Sequence, residues 1–443
     1  MELNKPKPKI QWIEGLRGIA SVLVLCTHLA RGWDYELFAA STGQDEPPRI
    51  LQLPVLRIPW QGRIAVPIFA FLTGFVCALK PLKLARAGNK YAAFTSIAKS
   101  AFRRPPRLII PATIILITSW MLCQFGAYTV ANRCDSGWMR YSSPEPAPNV
   151  WEALVQLWKV FLSTWTTGWM PYDDHQWALI HFLKSAFEVY VVLVATMFMK
   201  YYARLAVYTG MYMYFWQNTH PDSGEFGVQL MLAMFLCDMS QHFAAQQWMS
   251  KHRVALNIAA IVPLGLGLYL SSYPQDFPEW ATWSRQLEAL SHYIFPELVP
   301  SMPKRFTGLG VNLMILSVFM SSIAKDFLST KYFLWLGKNS FAVYLVHGTL
   351  LRIVFVWMIY GVSGQPWEMT TNEAGEEVPV AYLPQGGPWR FIICIPIWVV
   401  LVYCCAWAWT TYVDSWCGRV TAKLESFLFE EDEKSEGPLL GGS

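Results

Sequence analysis

The sequence contains little charge. Asp, Glu, Lys and Arg together make up 15% of its 443 residues, and 54% are hydrophobic, whereas about a quarter of a typical soluble domain is charged. Aromatic residues reach 15%, with 22 Trp, and Trp and Tyr are enriched where a membrane protein meets the lipid–water interface. The composition therefore predicts a membrane protein, with the lipid bilayer as its surroundings.

Several other signatures are missing. The nine Cys show no CxxC motif and no Cys/His metal spacing, so we predict neither a disulfide framework nor a metal site. No basic stretch carries interleaved aromatics, which argues against a nucleic-acid partner. The first apolar run is long and no small-residue cleavage site follows it, so it does not resemble a signal peptide. No internal repeat is present.

Ten apolar segments approach the roughly 20 residues that a membrane-spanning helix needs. We therefore predict an all-α, polytopic membrane protein with about ten transmembrane helices in one bundle. The fifth and sixth segments are short, and a re-entrant pair there would leave eight full spans. The segments are 12–30, 64–80, 107–125, 177–199, 202–217, 226–240, 254–272, 306–324, 339–361 and 389–413.

Charge between the segments predicts their orientation. The loop at 80–107 carries eight Lys or Arg and no acid, and such basic loops lie in the cytoplasm. Ten spans then leave both chain ends in the cytoplasm, as an N-terminal segment at 1–11 and a disordered tail at 426–443. The outer loop at 126–176 contains "VWEALVQLWKVFLSTW", whose helical spacing and aromatic content predict an interfacial helix.

The first span carries three ionisable groups. It reads "WIEGLRGIASVLVLCTHLAR" from residue 12, and an ionisable side chain at mid-span costs about 2.5–3.5 kcal/mol. Glu14 and Arg17 are three residues apart and can pair on one helix face, or each can extend to the inner interface. Gly15 and Gly18 would let another helix or a ligand approach closely.

His28 lies about 16 Å beyond Arg17 along a helix. A neutral His within a span is either a buried hydrogen-bonding group or, because its pKa lies near neutrality, a general base. The residues alone leave both readings open.

The same segment resembles the opening of the acyltransferase type 3 family, whose first helix carries an Arg, ten residues and then a His. Arg17 and His28 match that spacing. Four later stretches resemble further family segments in order, with the overall look of the fungal members. They are "GRIAVPIFAFLTGFV" at 62–76, "RRPPRLIIPA" at 103–112, "FLWLGKNSFAVYLVHGTLL" at 333–351 and "WTTYVDSWCGRVTAKLE" at 409–425.

The resemblance implies an acyltransferase domain over 12–425 and an integral membrane enzyme. Such enzymes move an acyl group, usually acetyl, from acyl-CoA to a hydroxyl, with acyl-CoA as co-substrate and no bound cofactor. It implies catalytic roles for His28, Arg17 and Glu14. Arg104 and Arg107, one turn apart, would bind the CoA phosphates, although a basic flank that only sets topology gives the same pattern.

The match has departures. The family usually has Asp at the position of Glu14, and its fungal members carry a Glu in the fourth helix where this chain has Phe182. His181 and Glu188 are the nearest residues that could take over the role of that Glu.

A polar stripe lies in the segment at 333–351. Ser340, Tyr344 and His347 are spaced so that they share one helix face. The stripe either lines the substrate cavity or bonds neighbouring helices together.

The acceptor is less defined. We expect a small-molecule hydroxyl, such as that of a fungal secondary metabolite, because no soluble hydrolase-like domain follows the last span. Acylation of a carbohydrate, a transporter-like protein and a catalytically inactive relative remain as alternatives. We expect a multi-pass protein of an endomembrane such as the endoplasmic reticulum.

Overall fold

The chain is nearly all-α, as predicted. The computed structural model describes residues 10–61, 63–218, 223–296, 301–361, 368–372 and 375–429. Most of the N-terminal segment 1–11 and of the tail 426–443 therefore lies outside the described residues. In chain order the α-helices are α1 (Gln11–Trp33), α2 (Ala65–Arg86), α3 (Lys90–Gln124), α4 (Thr129–Arg133), α5 (Gly137–Tyr141), α6 (Val150–Thr166), α7 (Ala178–Thr196), α8 (Tyr201–Gln217), α9 (Ser223–Ser240), α10 (Phe243–Lys251), α11 (Arg253–Ala259), α12 (Ile261–Ser271), α13 (Thr282–Ile294), α14 (Met302–Met320), α15 (Ser322–Leu328), α16 (Lys331–Leu350), α17 (Val356–Tyr360), α18 (Pro388–Ala408) and α19 (Ser415–Leu428).

Shorter elements complete the chain. Two strands, β1 (Met369–Thr371) and β2 (Glu377–Pro379), pair antiparallel with Thr370 opposite Val378. The 3₁₀ turns are Tyr35–Phe38, Ile50–Gln52, Ile58–Trp60, Asp174–Trp177 and Pro278–Trp280. The π-helical turns are Leu351–Phe355 and Trp409–Asp414, and they continue α16 and α18.

Ten membrane crossings are not confirmed. Judged by length and composition, the described residues form seven helices that can cross a membrane, or eight if α14 and α15, bent by 99° at their junction, count as one span. The short predicted segments 202–217 and 226–240 form α8 and α9, which fall outside that set. Even so, α9 lies inside the bundle, since Leu230, Met231 and Met234 are fully buried.

Helices α1 and α16 pack at backbone distance. A Cβ on Gly18 would lie 2.8 Å from the Gly337 nitrogen, and Cβ atoms on Gly15 and Gly337 would overlap the carbonyl oxygens of Leu328 and Glu14. Only glycine permits this approach, which fits the expectation that Gly15 and Gly18 receive another helix.

This contact fixes the direction of the two helices. Gly18 of α1 meets Gly337 of α16, and ten residues further along each helix His28 meets His347. The two helices therefore run parallel. Seven crossings would make α16 the sixth span and antiparallel to α1, whereas eight or ten crossings make it an odd-numbered span. An even number of spans, with both ends of the bundle on one side, is consistent with this direction.

The basic loop predicted at 80–107 is mostly helical. Helix α2 continues to Arg86, and α3 begins at Lys90 after a short turn. The prediction ended the second span where its apolar run ends and began the third where the next apolar run begins. Both helices extend beyond these apolar runs into the basic residues between them. From Arg104 to Gln124 the remaining helix covers about 30 Å, the thickness of the hydrocarbon core. Arg104 is therefore expected at the inner membrane boundary.

Helix α6 confirms the helix predicted in the outer loop. Its side chains Trp151, Leu154, Trp158 and Leu162 are all exposed, and their spacing places them along one helix face. An exposed apolar stripe of this kind is typical of a helix lying in a membrane interface. The interfacial location itself stays a prediction.

The orientation can be measured with reporters. Tags inserted at Gly88, in the turn between α2 and α3, and at Asn149, before α6, are expected on opposite sides of the membrane. The first should be accessible from the cytoplasm because the basic residues of α2 and α3 surround it. Accessibility in sealed vesicles is the measurement. Both tags facing the same compartment would contradict the orientation.

Candidate active site

Three imidazoles meet near the C-terminal end of α1. His28 comes from α1, His347 from α16, and His175 from the 3₁₀ turn that precedes α7. The ring centroids lie 5.1 Å apart for His28 and His347, 5.0 Å for His28 and His175, and 4.1 Å for His175 and His347. His347 is fully buried, His175 is buried, and His28 is half-buried.

Hydrogen bonds assign the protons of His28 and His347. His347 Nδ1 lies 2.8 Å from the Val343 carbonyl oxygen and 3.0 Å from that of Tyr344. A carbonyl oxygen can only accept, so His347 Nδ1 carries the proton. In the neutral ring Nε2 is then an acceptor, and His28 Nδ1, 2.8 Å away, donates to it. His28 Nε2 is left with a free lone pair.

His28 Nε2 is therefore available as a base. Among the described residues the structure gives this nitrogen no hydrogen-bond partner, while His28 lines a cavity at the C-terminal end of α1. The ring is also held in place by stacking on Trp138, with centroids 5.5 Å apart. An oriented imidazole with its lone pair facing a cavity is suited to general-base catalysis.

His175 is fixed by its own set of contacts. Its Nε2 donates to the Tyr344 carbonyl oxygen at 3.1 Å, and the Tyr344 hydroxyl donates to the His175 carbonyl oxygen at 2.5 Å. Its Nδ1 lies 2.6 Å from Asp173 Oδ1. A Cβ on Gly348 would overlap both His175 and Asp173, so glycine at that position is required for His175 to lie against α16.

Arg352 anchors the loop that carries His175. It lies in the π-helical turn after α16 and is fully buried. Its guanidinium donates to Asp174 Oδ1 at 2.9 Å and to Asp173 Oδ1 at 3.4 Å. It also donates to Ser142 and to the Gly348 carbonyl oxygen. π-Helical turns occur frequently at functional sites, and here the turn aims a buried cation at two acids.

The cavity at the C-terminal end of α1, called the outer cavity here because this end is predicted to face away from the cytoplasm, has a volume of about 470 Å³. Its lining includes imidazole, cationic and acidic side chains from five parts of the chain. These residues are His28, Arg31, Arg63, His175, His181, Glu225 and Lys304.

A second cavity, called the inner cavity here, lies at the start of α1 and has a volume of about 370 Å³. It brings together Arg17 of α1 with Arg104 and Arg107 of α3, as well as Ser340 of α16 and Asp414. Sequence reasoning expected Arg104 and Arg107 to face one ligand, and they line this one cavity. Three guanidinium groups around one cavity form a favourable site for an anion such as a phosphate.

The two cavities share a wall. Phe69, Phe182 and Tyr344 line both of them, and the rings of Phe69 and Phe182 lie 6.0 Å apart. These aromatic side chains lie between the cavity that contains Arg17 and the cavity that contains His28. Phe182, the position where the family resemblance implies a Glu, is thus part of the partition.

The Glu14–Arg17 ion pair is confirmed. The pair forms along α1 at three-residue spacing, and Arg17 Nε is buried without a hydrogen-bond partner. Arg17 faces the inner cavity about 16 Å from His28. At that distance Arg17 does not act on the atoms that react at His28, so holding the donor is the role its position allows.

The other candidate residues fall into three groups. Ser340 and Tyr344 line the inner cavity, which fits the cavity reading of the polar stripe, whereas His347 bonds to His28 and fits the interhelical reading. Glu188 lines neither cavity, so a place for it in the substrate cavity is not supported. The acid in the outer cavity is Glu225 of α9 instead.

Sequence reasoning missed Arg31, Arg63, Glu225, Lys304 and Arg352. Arg352 could have been found, because it is a cation within a predicted apolar span. The others lie at or beyond the ends of predicted spans, where charge is ordinary and carries no signal.

The three imidazoles are also close enough together to bind one metal ion. Their nitrogens lie within 4.8 Å of one another. The nitrogens of His347 and His175 are directed at carbonyl oxygens, at Asp173 or at His28, so a common ion would have to replace these contacts. The arrangement favours a hydrogen-bonded relay ending at His28.

The family model and the relatives found by comparison with known proteins all belong to one enzyme class, the acyltransferases. Residues 10–408 match the model of a family described as an acyltransferase domain. The chain is 26% identical to "O-acetyltransferase PaAT-1" of Phomopsis amygdali over 373 residues, covering 77% of this chain and 72% of that protein. It is 24% identical to "Acyltransferase clz18" of Cochliobolus lunatus, covering 86% of this chain and 91% of that protein. It is 23% identical to "Acyltransferase R4" of Phoma sp., covering 82% and 87%. No solved structure is significantly similar.

Proposed function

Because this chain belongs to the acyltransferase family whose model it matches over residues 10–408, we propose that it moves an acyl group from acyl-CoA to a hydroxyl group of a small molecule. An acetyl group is the expected cargo, and the fungal relatives favour a secondary metabolite as acceptor. The observation that carries the proposal is His28 Nε2, deprotonated by its hydrogen-bond chain and facing the outer cavity.

The inner cavity supplies the donor site of this proposal. Arg17, Arg104 and Arg107 converge there, and guanidinium groups bind phosphate oxygens through paired hydrogen bonds. The long pantetheine arm of CoA would extend from these arginines past the wall formed by Phe69, Phe182 and Tyr344. The thioester would then reach His28 while the nucleotide end stays in the inner cavity.

The outer cavity supplies the acceptor site. His28 Nε2 takes the proton of the acceptor hydroxyl as its oxygen attacks the thioester carbonyl carbon, forming a new C–O bond. The tetrahedral intermediate collapses with cleavage of the C–S bond, and the departing CoA thiolate takes from His28 the proton that came from the acceptor hydroxyl. Donating from Nδ1 to His347 Nε2 keeps the His28 ring in the required tautomer throughout.

The direct test uses the purified full chain in lipid nanodiscs with acetyl-CoA. Release of free CoA thiol that depends on an added hydroxyl acceptor is the expected result, together with an acetylated product by mass spectrometry. A comparison of metabolites between a knockout strain and its parent would supply the natural acceptor. If CoA release never depends on an alcohol, and the chain reconstituted in sealed vesicles instead moves a solute across their membrane, a transporter-like function replaces the proposal.

The donor site predicts a separate effect on the two substrates. Changing both Arg104 and Arg107 to Gln is expected to raise the KM for acetyl-CoA at least tenfold and to leave the acceptor KM nearly unchanged. The reason is that each charge-assisted hydrogen bond contributes about 1.5–3 kcal/mol. Steady-state kinetics with each substrate varied in turn is the measurement.

Two controls separate this role from topology. Arg103→Gln removes the same charge from the residue that precedes Arg104. Arg103 pairs with Glu425 outside the cavity, so this variant should leave the donor KM unchanged. The double Lys variant of Arg104 and Arg107 keeps the positive loop and therefore the orientation. If the Lys variant restores the membrane orientation and the Gln variant has an unchanged donor KM, the two arginines only set topology.

A further inference from the structure

The outer cavity carries more positive charge than its own acid neutralises. Three cationic side chains line it, Arg31, Arg63 and Lys304, against the single carboxylate of Glu225. Glu225 lies 3.8 Å from Lys304, so that pair balances one of the cations. Across the described part of the chain, neither Arg31 nor Arg63 forms an ion pair or donates a hydrogen bond. Among the described residues, these two guanidinium groups therefore have no carboxylate in direct ion-pair contact, although Arg31 lies over the Phe38 ring, 5.5 Å from its centroid.

Burial makes this excess unfavourable. Arg31 Nε and Arg63 Nε are both buried without a hydrogen-bond partner. Burial lowers the pKa of Arg63, and the charge of Arg31 adds to this shift, whereas Glu225 and Asp276 oppose it without reversing it. Cations partly removed from water, and close to one another, are stabilised when an anion lies between them. The cavity is thus complementary to a negatively charged ligand.

The positions of the arginines relate that anion to the reacting group. Arg31 follows His28 by three residues on α1, so the two side chains are neighbours on one helix face. Both line the outer cavity, as does Arg63, which precedes α2. A ligand whose hydroxyl reaches His28 Nε2 would therefore have Arg31 within one helical turn of that hydroxyl. The guanidinium fork matches a carboxylate in shape and charge.

We infer that the acceptor is a hydroxy acid, whose carboxylate binds Arg31 and Arg63 while its hydroxyl lies at His28. This inference rests on the proposed acyltransferase function, because only that function makes the bound hydroxy acid an acceptor. The CoA phosphates are a second source of negative charge. Their own set of three arginines, however, lines the inner cavity at the opposite end of α1.

Matched pairs of acids and neutral esters test the inference. The full chain in nanodiscs is incubated with mandelate or methyl mandelate, with 3-hydroxybutyrate or its methyl ester, and with ricinoleate or methyl ricinoleate. Acid-selective binding should raise the unfolding temperature with the acids and not with the esters. With acetyl-CoA present, kcat/KM should be at least tenfold higher for an acid than for its ester. Arg31→Gln and Arg63→Gln should abolish that preference by raising the KM for the acid.

Arg285→Gln is the matched control, because it removes the same charge from an exposed position on α13 outside both cavities. It should retain the acid preference. Equal use of acid and ester, absence of any acid-induced shift in the unfolding temperature, or equal loss with both in the Gln variants would overturn the inference. A rise in the KM for acetyl-CoA in Arg31→Gln or Arg63→Gln would assign these cations to the donor and would also overturn it.

The outcomes separate this inference from the function on which it rests. Acetyl transfer to neutral alcohols with no acid-selective binding would leave the acyltransferase function standing and remove the acidic acceptor. Acid-selective binding lost in Arg63→Gln, without CoA release from any alcohol, would leave the anion site standing and remove the acyltransferase function.

Discussion

Replacing His28 with Gln is expected to lower kcat by about 10²–10⁴-fold, the range that a general base supplies, with little change in the KM for acetyl-CoA. Gln preserves a polar side chain of similar length that can still donate to His347 Nε2, but it cannot accept a proton near neutral pH. The loss should therefore fall on the chemical step. Steady-state CoA release from protein in nanodiscs is the measurement, with unfolding temperature as the check on folding.

Two further variants separate catalysis from packing at this site. His292→Gln makes the same substitution at an exposed His on α13 and should leave kcat unchanged. His347→Gln keeps an acceptor for His28 but loses the Nδ1 proton held by the α16 carbonyl oxygens. As a positioning change it should shift the pH profile of kcat while KM stays nearly constant. Near-normal turnover in His28→Gln would instead make His28 a structural hydrogen-bonding group.

Replacing Arg352 with Met is expected to reduce the free energy of unfolding by about 3–5 kcal/mol, the cost of leaving a buried charge uncompensated. Asp173 is fully buried and would lose its guanidinium partner, and Ser142 would lose the bonds to its carbonyl and hydroxyl oxygens. The loop that carries His175 would loosen, so activity should fall as well. Thermal unfolding of the membrane-extracted protein is the measurement.

The charge explanation has its own controls. Adding Asp173→Asn to Arg352→Met removes the stranded carboxylate and should recover part of the lost stability. Arg49→Gln removes the exposed pair with Asp34, and exposed pairs contribute only about 0–1 kcal/mol. If the two single Arg variants are equally stable, or if the Asp173→Asn addition destabilises further, the buried network does not stabilise the fold as argued here.

Patterns among neighbouring residues were enough to predict many of the helices and several residue pairs of this protein. Apolar run length predicted the helices that can cross a membrane because hydropathy is a property of consecutive residues, although it gave ten segments where the described residues form seven or eight such helices. Helix periodicity paired Glu14 with Arg17, placed Arg104 beside Arg107, and put Ser340, Tyr344 and His347 on one face. Apolar run length failed to predict the helix ends at 80–107, because charged residues end an apolar run without ending a helix.

Tertiary structure alone decided how these pieces combine. His28 and His347 are 319 residues apart, and nothing near either one predicts their contact. The contact exists because Gly18 and Gly337 allow α1 and α16 to pack in parallel at backbone distance, which sets the register of everything further along both helices. His175 joins them from a loop held by Arg352, and Glu225 enters the outer cavity from α9, whereas the sequence reading had looked for an acid in the fourth helix. The sequence determined which segments are apolar enough to form membrane helices and which groups in them can carry charge. The packing of glycine against backbone decided which of those groups meet.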